Sequence, residues 1–241
     1  MRLLRDGALR RGLLHGLPIA LGYLSVSFGF GISASLGGLS PLVATLISLT
    51  NLTSAGQVAG LAIILGAGPL LEMAVTQLVI NIRYFLMSLS LSQRLDGSFP
   101  LRHRLLAAFG VTDEIFGVAS SQREPLTPRY MYGLMLLPIL GWSLGTLLGA
   151  VAGNILPDGL KHALGIAIYG MFVAIVVPPM RTDRGVLLGV TVAVAVSCLL
   201  AYLPLFSFIT SGFSIILSAA VAATVSALLF PTPEEEKEET A

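Results

Sequence analysis

Polar side chains interrupt an apolar segment in the first part of the chain. The stretch LTNLTSAGQVAG, residues 49–60, lies inside the run Pro41–Ala67, which is otherwise apolar. A helix broken here would leave free carbonyls on one half and free N–H groups, capped by Ser54, on the next. These opposite partial charges match an amino-acid zwitterion, which would lose its hydration without meeting a fixed charge. The predicted substrate-binding residues are Asn51, Thr53, Ser54 and Gln57.

A packing irregularity is the alternative interpretation of this segment. Ser and Thr are common in membrane helices, where their hydroxyls bond back to the preceding turn. Irregular backbone at membrane depth survives only where protein buries it or where it lines a cavity. The two interpretations therefore differ in whether a cavity lies beside residues 51–57.

The next apolar segment, VTQLVINIRYFLMSLSLS, carries two polar stripes at helical spacing. A helix facing lipid would not carry both, so we expect it to face a bundle interior and to line the substrate path. A charged side chain at a helix centre costs about 2.5–3.5 kcal/mol, unless it reaches the nearby cytoplasmic surface. One stripe is Gln77, Asn81, Tyr84 and Ser88, and the other is Thr76, Arg83 and Ser90.

Carboxylates occur at two positions next to apolar segments. Asp113 and Glu114 follow Thr112, a pattern typical of a helix N-terminus, where they would only cap the helix. Acids at membrane depth are more often functional, and these two would then bind a proton or a substrate ammonium, or pair with Arg83. Glu72 follows Gly68 and Pro69 in a first helical turn, where an acid favours the helix dipole. It is the next candidate for a proton-binding group.

The composition predicts an all-α integral membrane protein. Of its 241 residues 55% are hydrophobic and 11% are charged, with a mean hydropathy of +0.87, whereas soluble domains carry roughly 25% charged residues. The run Leu17–Leu36 after the basic N-terminus is longer than the apolar core of a signal peptide, which has about 7–15 residues. Cys198 is the single cysteine, so no intrachain disulfide can form.

The apolar runs predict about six full membrane spans and two partial ones, because a span takes about 20 residues. We divide the chain into a basic cytoplasmic N-terminus (1–16), a transmembrane domain (17–230) and an acidic, disordered tail (231–241). The partial segments are 41–67 and 105–120. The full spans are Leu17–Leu36, Pro69–Leu91, Tyr130–Ala152, His162–Met180, Gly185–Leu203 and Leu205–Phe230.

Arginine clusters predict that both termini are cytoplasmic. Arginines gather before the first span, after Leu91, before Tyr130 and around residues 181–184, and positive residues favour the cytoplasmic side. All four clusters can share that side only if 41–67 does not cross as one straight helix. This segment is therefore predicted to be a re-entrant hairpin or two short legs.

An internal repeat is the third expectation about architecture. LPIALGY (residues 17–23) is similar to LPILGW (residues 137–142), with one residue deleted, and each precedes a Gly-rich helix and a further apolar segment. Duplicated halves are common in transporters.

The motifs, in their order, resemble the AzlC-type branched-chain amino-acid permease family. The resemblance rests on PIALGY, the SAGQ segment, NIRYFLMSLSLS and TDEIF, and extends from about Gly16 to Glu114. It departs at Ser54-Ala55-Gly56, where the family usually has Ala-Gly-Ser before the glutamine. The matching polar positions are Gln57, Asn81, Arg83, Asp113 and Glu114.

The resemblance implies a multi-pass exporter of branched-chain or related apolar amino acids in the bacterial cytoplasmic (inner) membrane, coupled to protons. It also implies a small AzlD-type membrane subunit as partner, besides the substrate and the lipid bilayer. The rival function is a channel for a small solute with the re-entrant segment as its constriction. An enzyme is disfavoured because HExxH and Cys/His clusters are absent from the sequence. We expect no cofactor, no metal and no nucleic-acid partner.

Overall fold

The computed structural model describes residues 7–97 and 99–230, and within these ranges the chain is helical with no β-strand. An isolated bridge pairs Leu95 with Leu126. The acidic tail and the first six residues, on which two of the predictions fall, lie outside the described residues. The α-helices are α1 (Gly7–Leu36), α2 (Pro41–Thr50), α3 (Ala55–Leu65), α4 (Leu70–Ser92), α5 (Leu101–Phe109), α6 (Asp113–Ser120), α7 (Pro128–Ile155), α8 (Asp158–Gly165), α9 (Ala167–Thr182), α10 (Arg184–Tyr202) and α11 (Ser211–Leu229).

Helices α1 and α7 form the centre of the fold and run parallel to each other. Glycines on α7 lie directly against backbone carbonyls of α1: Gly141 contacts Ala20, and Gly149 contacts Phe28. Small residues allow this close approach between helices in a membrane. The two copies of the sequence repeat lie on these two helices and pack side by side, since a Cβ at Gly16 would lie 3.2 Å from Pro138 Cδ.

Helices α2 and α3 form a hairpin that starts and ends at the C-terminal end of α1. The α2 helix begins at Pro41, just after α1, and a Cβ at Gly37 would meet the side chain of Leu65, the last residue of α3. Between these ends the hairpin reaches the middle of α7, where Gln57 contacts Trp142. Its tip, residues 51–54, therefore lies halfway along the central helix pair.

Helices α5 and α6 form a second hairpin that enters from the opposite end. Phe99 and Ala119, near its two ends, pack in one apolar cluster with Tyr130 at the start of α7. The tip of this hairpin reaches the middle of α1, where the Tyr23 hydroxyl and Thr112 Oγ1 are hydrogen-bonded at 2.6 Å. The two hairpins thus point toward each other, and α4 runs from the base of the first to the base of the second.

Five of the six predicted spans correspond to helices that are long and apolar enough to cross a membrane: α1, α4, α7, α10 and α11. The sixth prediction, residues 162–180, is wrong in detail because it is divided between α8, which ends at Gly165, and α9. Glycine disfavours helix interiors and often ends helices. The last span also starts later than predicted, since a short 3-10 turn at Pro204–Phe206 precedes α11.

Large apolar side chains cover the outside of the bundle. Leu78 and Phe85 on α4 are 66% and 67% exposed, and no residue in the most apolar stretch of α10 is buried within the protein. An exposed apolar surface of this kind requires an apolar solvent. The chain is accordingly an all-α, multi-pass membrane protein.

Candidate functional site

A cavity of about 500 Å³ lies between the tips of the two hairpins. Its volume falls within the range of small-molecule sites, about 300–1,000 Å³. Residues from six helices and both tips form its wall, which combines a charged and hydroxylated side with an apolar side. The lining residues are Tyr23, Leu52, Ser54, Ala55, Arg83, Tyr84, Thr112, Asp113, Glu114, Trp142, Phe172 and Val176.

An ion pair occupies the polar side of the cavity. Arg83 Nη1 lies 2.9 Å from Asp113 Oδ2, and Arg83 Nη2 donates to the Tyr84 hydroxyl at 3.1 Å. The charged side chains are 42% and 46% exposed, so both still face the cavity. An ion pair with Arg83 was one of the predicted roles of the acids, and Asp113 forms it. The alternative, in which the Arg83 side chain extends to the cytoplasmic membrane surface, does not occur. The expectation that a substrate would meet no fixed charge is wrong.

The start of α6 presents the second carboxylate to the cavity. Thr112 caps this helix as predicted, since its hydroxyl accepts from the Ile115 amide at 3.4 Å. Glu114 accepts a hydrogen bond from the Tyr23 hydroxyl of α1. Acidic residues in the first turn of a helix interact favourably with its dipole, and the first turn of α6 also faces the cavity. Asp113 and Glu114 can therefore stabilise the helix and line the cavity at the same time.

The tip of the first hairpin differs from the prediction at Ser54. Its side chain makes no capping bond to α3, and its backbone has φ +40° and ψ −77°. A non-glycine residue with positive φ is uncommon and marks a turn that the surrounding structure enforces. The predicted cap is wrong because this turn directs Ser54 to the cavity, where Ala55, the first residue of α3, also lies.

The other predicted polar residues form a layer behind the cavity. Gln57 is 1% exposed and satisfied on both sides: it accepts from Trp142 Nε1 at 2.7 Å and donates to Ser48 Oγ at 2.9 Å. Gln77 Nε2 donates to the Gly56 carbonyl at 2.7 Å, and Asn81 donates to Gln77. Thr53 donates to Asn51 within the tip. Asn51, Thr53, Gln57, Gln77 and Asn81 are not among the lining residues, and their bonds hold the hairpin tip on α4 and α7.

Glu72 lies away from the cavity. It is 1% exposed, and its Oε1 accepts the Gly212 amide at the start of α11 at 2.8 Å. In the part of the chain that the structure describes, no group of three His, Cys, Asp or Glu residues could hold a metal ion.

The sequence did not assign seven of the lining residues to the site: Tyr23, Leu52, Ala55, Thr112, Trp142, Phe172 and Val176. Two of them carried a signal, because Tyr23 and Trp142 end the two copies of the repeated motif. Their rings meet edge to face with centroids 5.1 Å apart, and both line the cavity. Leu52, Phe172 and Val176 are apolar residues in apolar segments, and nothing in their local pattern distinguishes them.

Comparison with known proteins places these elements in a family. The family described as AzlC protein matches residues 18–156, which include both hairpins and the central helix pair. The chain belongs to the AzlC family. Phe172 and Val176 on α9, which complete the apolar side of the cavity, lie beyond the matched residues.

Several relatives in the family have names that report only their location. An uncharacterized membrane protein of Archaeoglobus fulgidus is 33% identical over 195 residues, 79% of this chain and 85% of the relative. The inner membrane protein YgaZ of Escherichia coli is 26% identical over 231 residues, 93% of each chain. An uncharacterized membrane protein of Helicobacter pylori is 26% identical over 144 residues, 58% of this chain and 62% of the relative. No solved structure is significantly similar to this AzlC-family chain.

Proposed function

We propose that this AzlC-family protein is a carrier that exports branched-chain or related apolar amino acids across the cytoplasmic membrane, coupled to protons. The observation that carries the proposal is the cavity between two oppositely directed hairpin tips, with an ion pair on one side and apolar residues on the other. Discontinuous helices that meet near the middle of the bundle are a recurring design of substrate sites in transporters.

The charges of the cavity suit a zwitterion. The first turn of α3 at Ala55 and the Arg83 guanidinium attract a carboxylate, since helix N-termini and arginines both bind carboxylates. The Asp113 and Glu114 carboxylates attract an ammonium. Because Arg83 and Asp113 pair with each other, a zwitterion can replace each partner with an opposite charge and leave no charge unpaired.

The apolar side of the cavity suits a branched or other apolar side chain. Leu52 from the first tip, Trp142 from α7, and Phe172 and Val176 from α9 line this side. A longer polar side chain would bury hydrogen-bonding groups there without partners, which is unfavourable. The site thus favours amino acids with a short apolar side chain.

The distribution of arginines supports an orientation with both termini in the cytoplasm. Arg11 pairs with Glu124 at 2.8 Å, and Arg94 donates to the Gln122 carbonyl, so the starts of α1 and α7 and the end of α4 share one basic end. The positive-inside tendency assigns that end to the cytoplasm. The first hairpin then re-enters from outside and the second from the cytoplasm. The name of the E. coli relative supports the inner membrane as the location.

The outward face of α4 and α5 suits the small AzlD-type membrane subunit implied by the family resemblance. Its exposed side chains include Ile82, Phe85 and Leu89 on α4 and Leu105 and Leu106 on α5. Co-purification of the two chains tests this part of the proposal. Phe85→Arg on α4 should abolish the co-purification, and the control Leu228→Arg on α11 should retain it.

Counterflow in proteoliposomes separates a carrier from a channel. Vesicles loaded with unlabelled leucine should accumulate labelled leucine transiently above equilibrium if the protein is a carrier. A channel would only equilibrate the label, and this outcome would overturn the proposal. Vesicles with Arg83→Gln serve as the control for the cavity, because this change should abolish the counterflow.

A further inference from the structure

A buried carboxylate lies outside the cavity, where three elements meet. Glu72 is in the first turn of α4, and its Oε1 accepts the amide of Gly212 in the first turn of α11. A Cβ built at Gly68, just after α3, would lie 3.0 Å from Glu72 Oε2. The carboxylate therefore joins the end of α3, the start of α4 and the start of α11.

The approach of α11 to this carboxylate is close. A Cβ at Gly212 would lie 2.5 Å from Glu72 Oε1 and 2.7 Å from Thr76 Oγ1. A side chain at this position would displace the Glu72 carboxylate or the Thr76 hydroxyl, which are neighbours there. The side chains of both residues are buried, with exposed fractions of 1% and 0%.

One oxygen of the carboxylate has no hydrogen-bond partner among the residues that the structure describes. Glu72 Oε2 and Thr76 Oγ1 are both buried and neither bonds to any of these residues, although Oε1 is satisfied. An ionised carboxylate with an unsatisfied buried oxygen is unfavourable. Protonation of Oε2 removes the charge and leaves the bond from Gly212 to Oε1 intact.

Within residues 7–97 and 99–230, no basic side chain pairs with Glu72. Neither α3 nor α11 contains a charged or titratable side chain. On α4 itself the other such groups are Arg83 and Tyr84, which lie three turns away, and Arg83 pairs with Asp113. The Glu72 carboxylate therefore lies between the starts of α4 and α11 with no opposite charge from these helices beside it.

We propose that Glu72 is a proton-binding site, separate from the cavity, and that proton binding at Oε2 controls the contact between α4 and α11. A proton taken from water converts the carboxylate to a neutral carboxylic acid, and no other bond forms or breaks. In the proposed orientation the start of α4 faces the outside, so the proton enters from the side to which the substrate is released. This inference rests on the proposed function only in assigning the proton to transport.

Infrared spectroscopy of the purified protein in lipid tests proton binding without any transport. On acidification the wild type should gain a carboxylic acid C=O band that Glu72→Gln lacks. Glu124→Gln removes an exposed carboxylate from the surface pair with Arg11 and should retain the band. Identical difference spectra for the wild type and Glu72→Gln would overturn the proposal. A band that responds to Na⁺ at constant pH would also overturn it, in favour of a metal-cation site.

Two further measurements keep the test decisive. If Glu72→Gln does not insert into the membrane, Thr76→Val is measured in its place, because the Thr76 hydroxyl is a neighbour of the carboxylate. A shift in the frequency of the carboxylic acid C=O band supports the proposal, and an unchanged frequency overturns it. In proteoliposomes, Glu72→Gln should retain leucine exchange. The leucine accumulation that a pH gradient drives should be at least tenfold lower than in the wild type. A wild type that moves no amino acid would contradict the proposed function and leave the infrared result standing, so the two failures are distinguishable.

Discussion

Arg83 and Asp113 come from helices that approach the cavity from different directions, and their side chains meet with 2.9 Å between Nη1 and Oδ2. Arg83 lies in the C-terminal half of α4, and Asp113 is the first residue of α6, at the tip of the second hairpin. The ion pair therefore links the second hairpin to α4, where residues of both elements line the cavity. In the proposed carrier, a substrate that separates the two charges would remove one of the contacts that hold the hairpin tip.

The first prediction concerns the balance of this pair. Arg83→Ala should lower the free energy of unfolding by about 1 kcal/mol more than the double substitution Arg83→Ala with Asp113→Ala. The single change leaves a carboxylate with its desolvation penalty and no partner, and the exposure of both groups to the cavity keeps the effect small. Denaturation of the purified variants in detergent measures the difference. Equal stabilities of the single and double variants would show that the pair is not coupled.

The second prediction concerns Gln57, which lies behind the cavity. Gln57→Ala leaves the buried Trp142 indole N–H without a partner, at about 1–3 kcal/mol. It also removes one bond of the Ser48 hydroxyl, which keeps its bond to Thr146 Oγ1. We expect a protein that inserts but has lower stability and lacks transport, because the hairpin tip is no longer fixed to α7. Trp142→Phe, which removes only one bond, should lose less stability. Wild-type transport by Gln57→Ala would mean that the tip does not form the site.

Much of the site was predictable because polar groups in an apolar chain stand out. Gln77, Asn81, Arg83 and Tyr84 on α4, the break at residues 51–54 and the acids at 113–114 stand out from their apolar surroundings. All of these lie at or directly behind the cavity, whereas Thr76 of the second stripe lies beside Gly212. Their roles were harder to predict, because a single sequence does not tell on which side of a hairpin a residue lies. Gln57 faces α7 and Ser54 faces the cavity, although only three positions separate them.

The apolar part of the site was not predictable for a different reason. Phe172 and Val176 reach the cavity only because α9 packs beside α1, and this packing depends on the whole fold. The parallel packing of α1 and α7 was equally hidden, although the repeat and the glycines that produce it are visible in the sequence. Spacing identifies helical faces, but not the helix against which a face packs.

The third prediction concerns the glycines of the central helix pair. Gly149→Ala should destabilise the protein by about 1–3 kcal/mol, because the new methyl group would overlap the backbone of Phe28 and not a flexible side chain. Gly22→Ala is the matched control, since nothing lies within 4 Å of a Cβ there and alanine favours a helix. Thermal unfolding of both variants in the same detergent measures the effect. Similar midpoints for the two would contradict the close packing of α1 and α7.

The fourth prediction concerns topology. Single cysteines at Asp96 and Glu235, in a Cys198→Ala background, should resist an impermeant thiol reagent in intact cells because both positions are cytoplasmic in the proposed orientation. A cysteine at Asp158, the first residue of α8, should react because it follows the opposite end of α7. Labelling at Asp96 from outside would exclude the re-entrant arrangement of residues 41–67.

The last prediction separates the acids of the cavity from Glu72. Asp113→Asn and Glu114→Gln remove the charges that we expect to hold the substrate ammonium, so each should reduce leucine exchange and gradient-driven transport by the same factor, at least tenfold. Glu72→Gln should reduce only the gradient-driven transport, because exchange returns the carrier with substrate bound and need not move a proton. The comparison requires all three variants in proteoliposomes, with and without an imposed pH gradient, at equal amounts of inserted protein.

The possible results of this comparison assign the proton to one group. If Asp113→Asn or Glu114→Gln retains exchange and loses only the gradient-driven transport, that acid carries the proton and the separate site at Glu72 is excluded. If both variants transport at wild-type rates, the acids serve only to cap α6, where Thr112 already accepts the Ile115 amide, and the substrate ammonium binds elsewhere. Substrate binding at the acids of the cavity predicts instead that exchange itself fails in both variants, since each variant loses a negative charge that attracts the substrate ammonium.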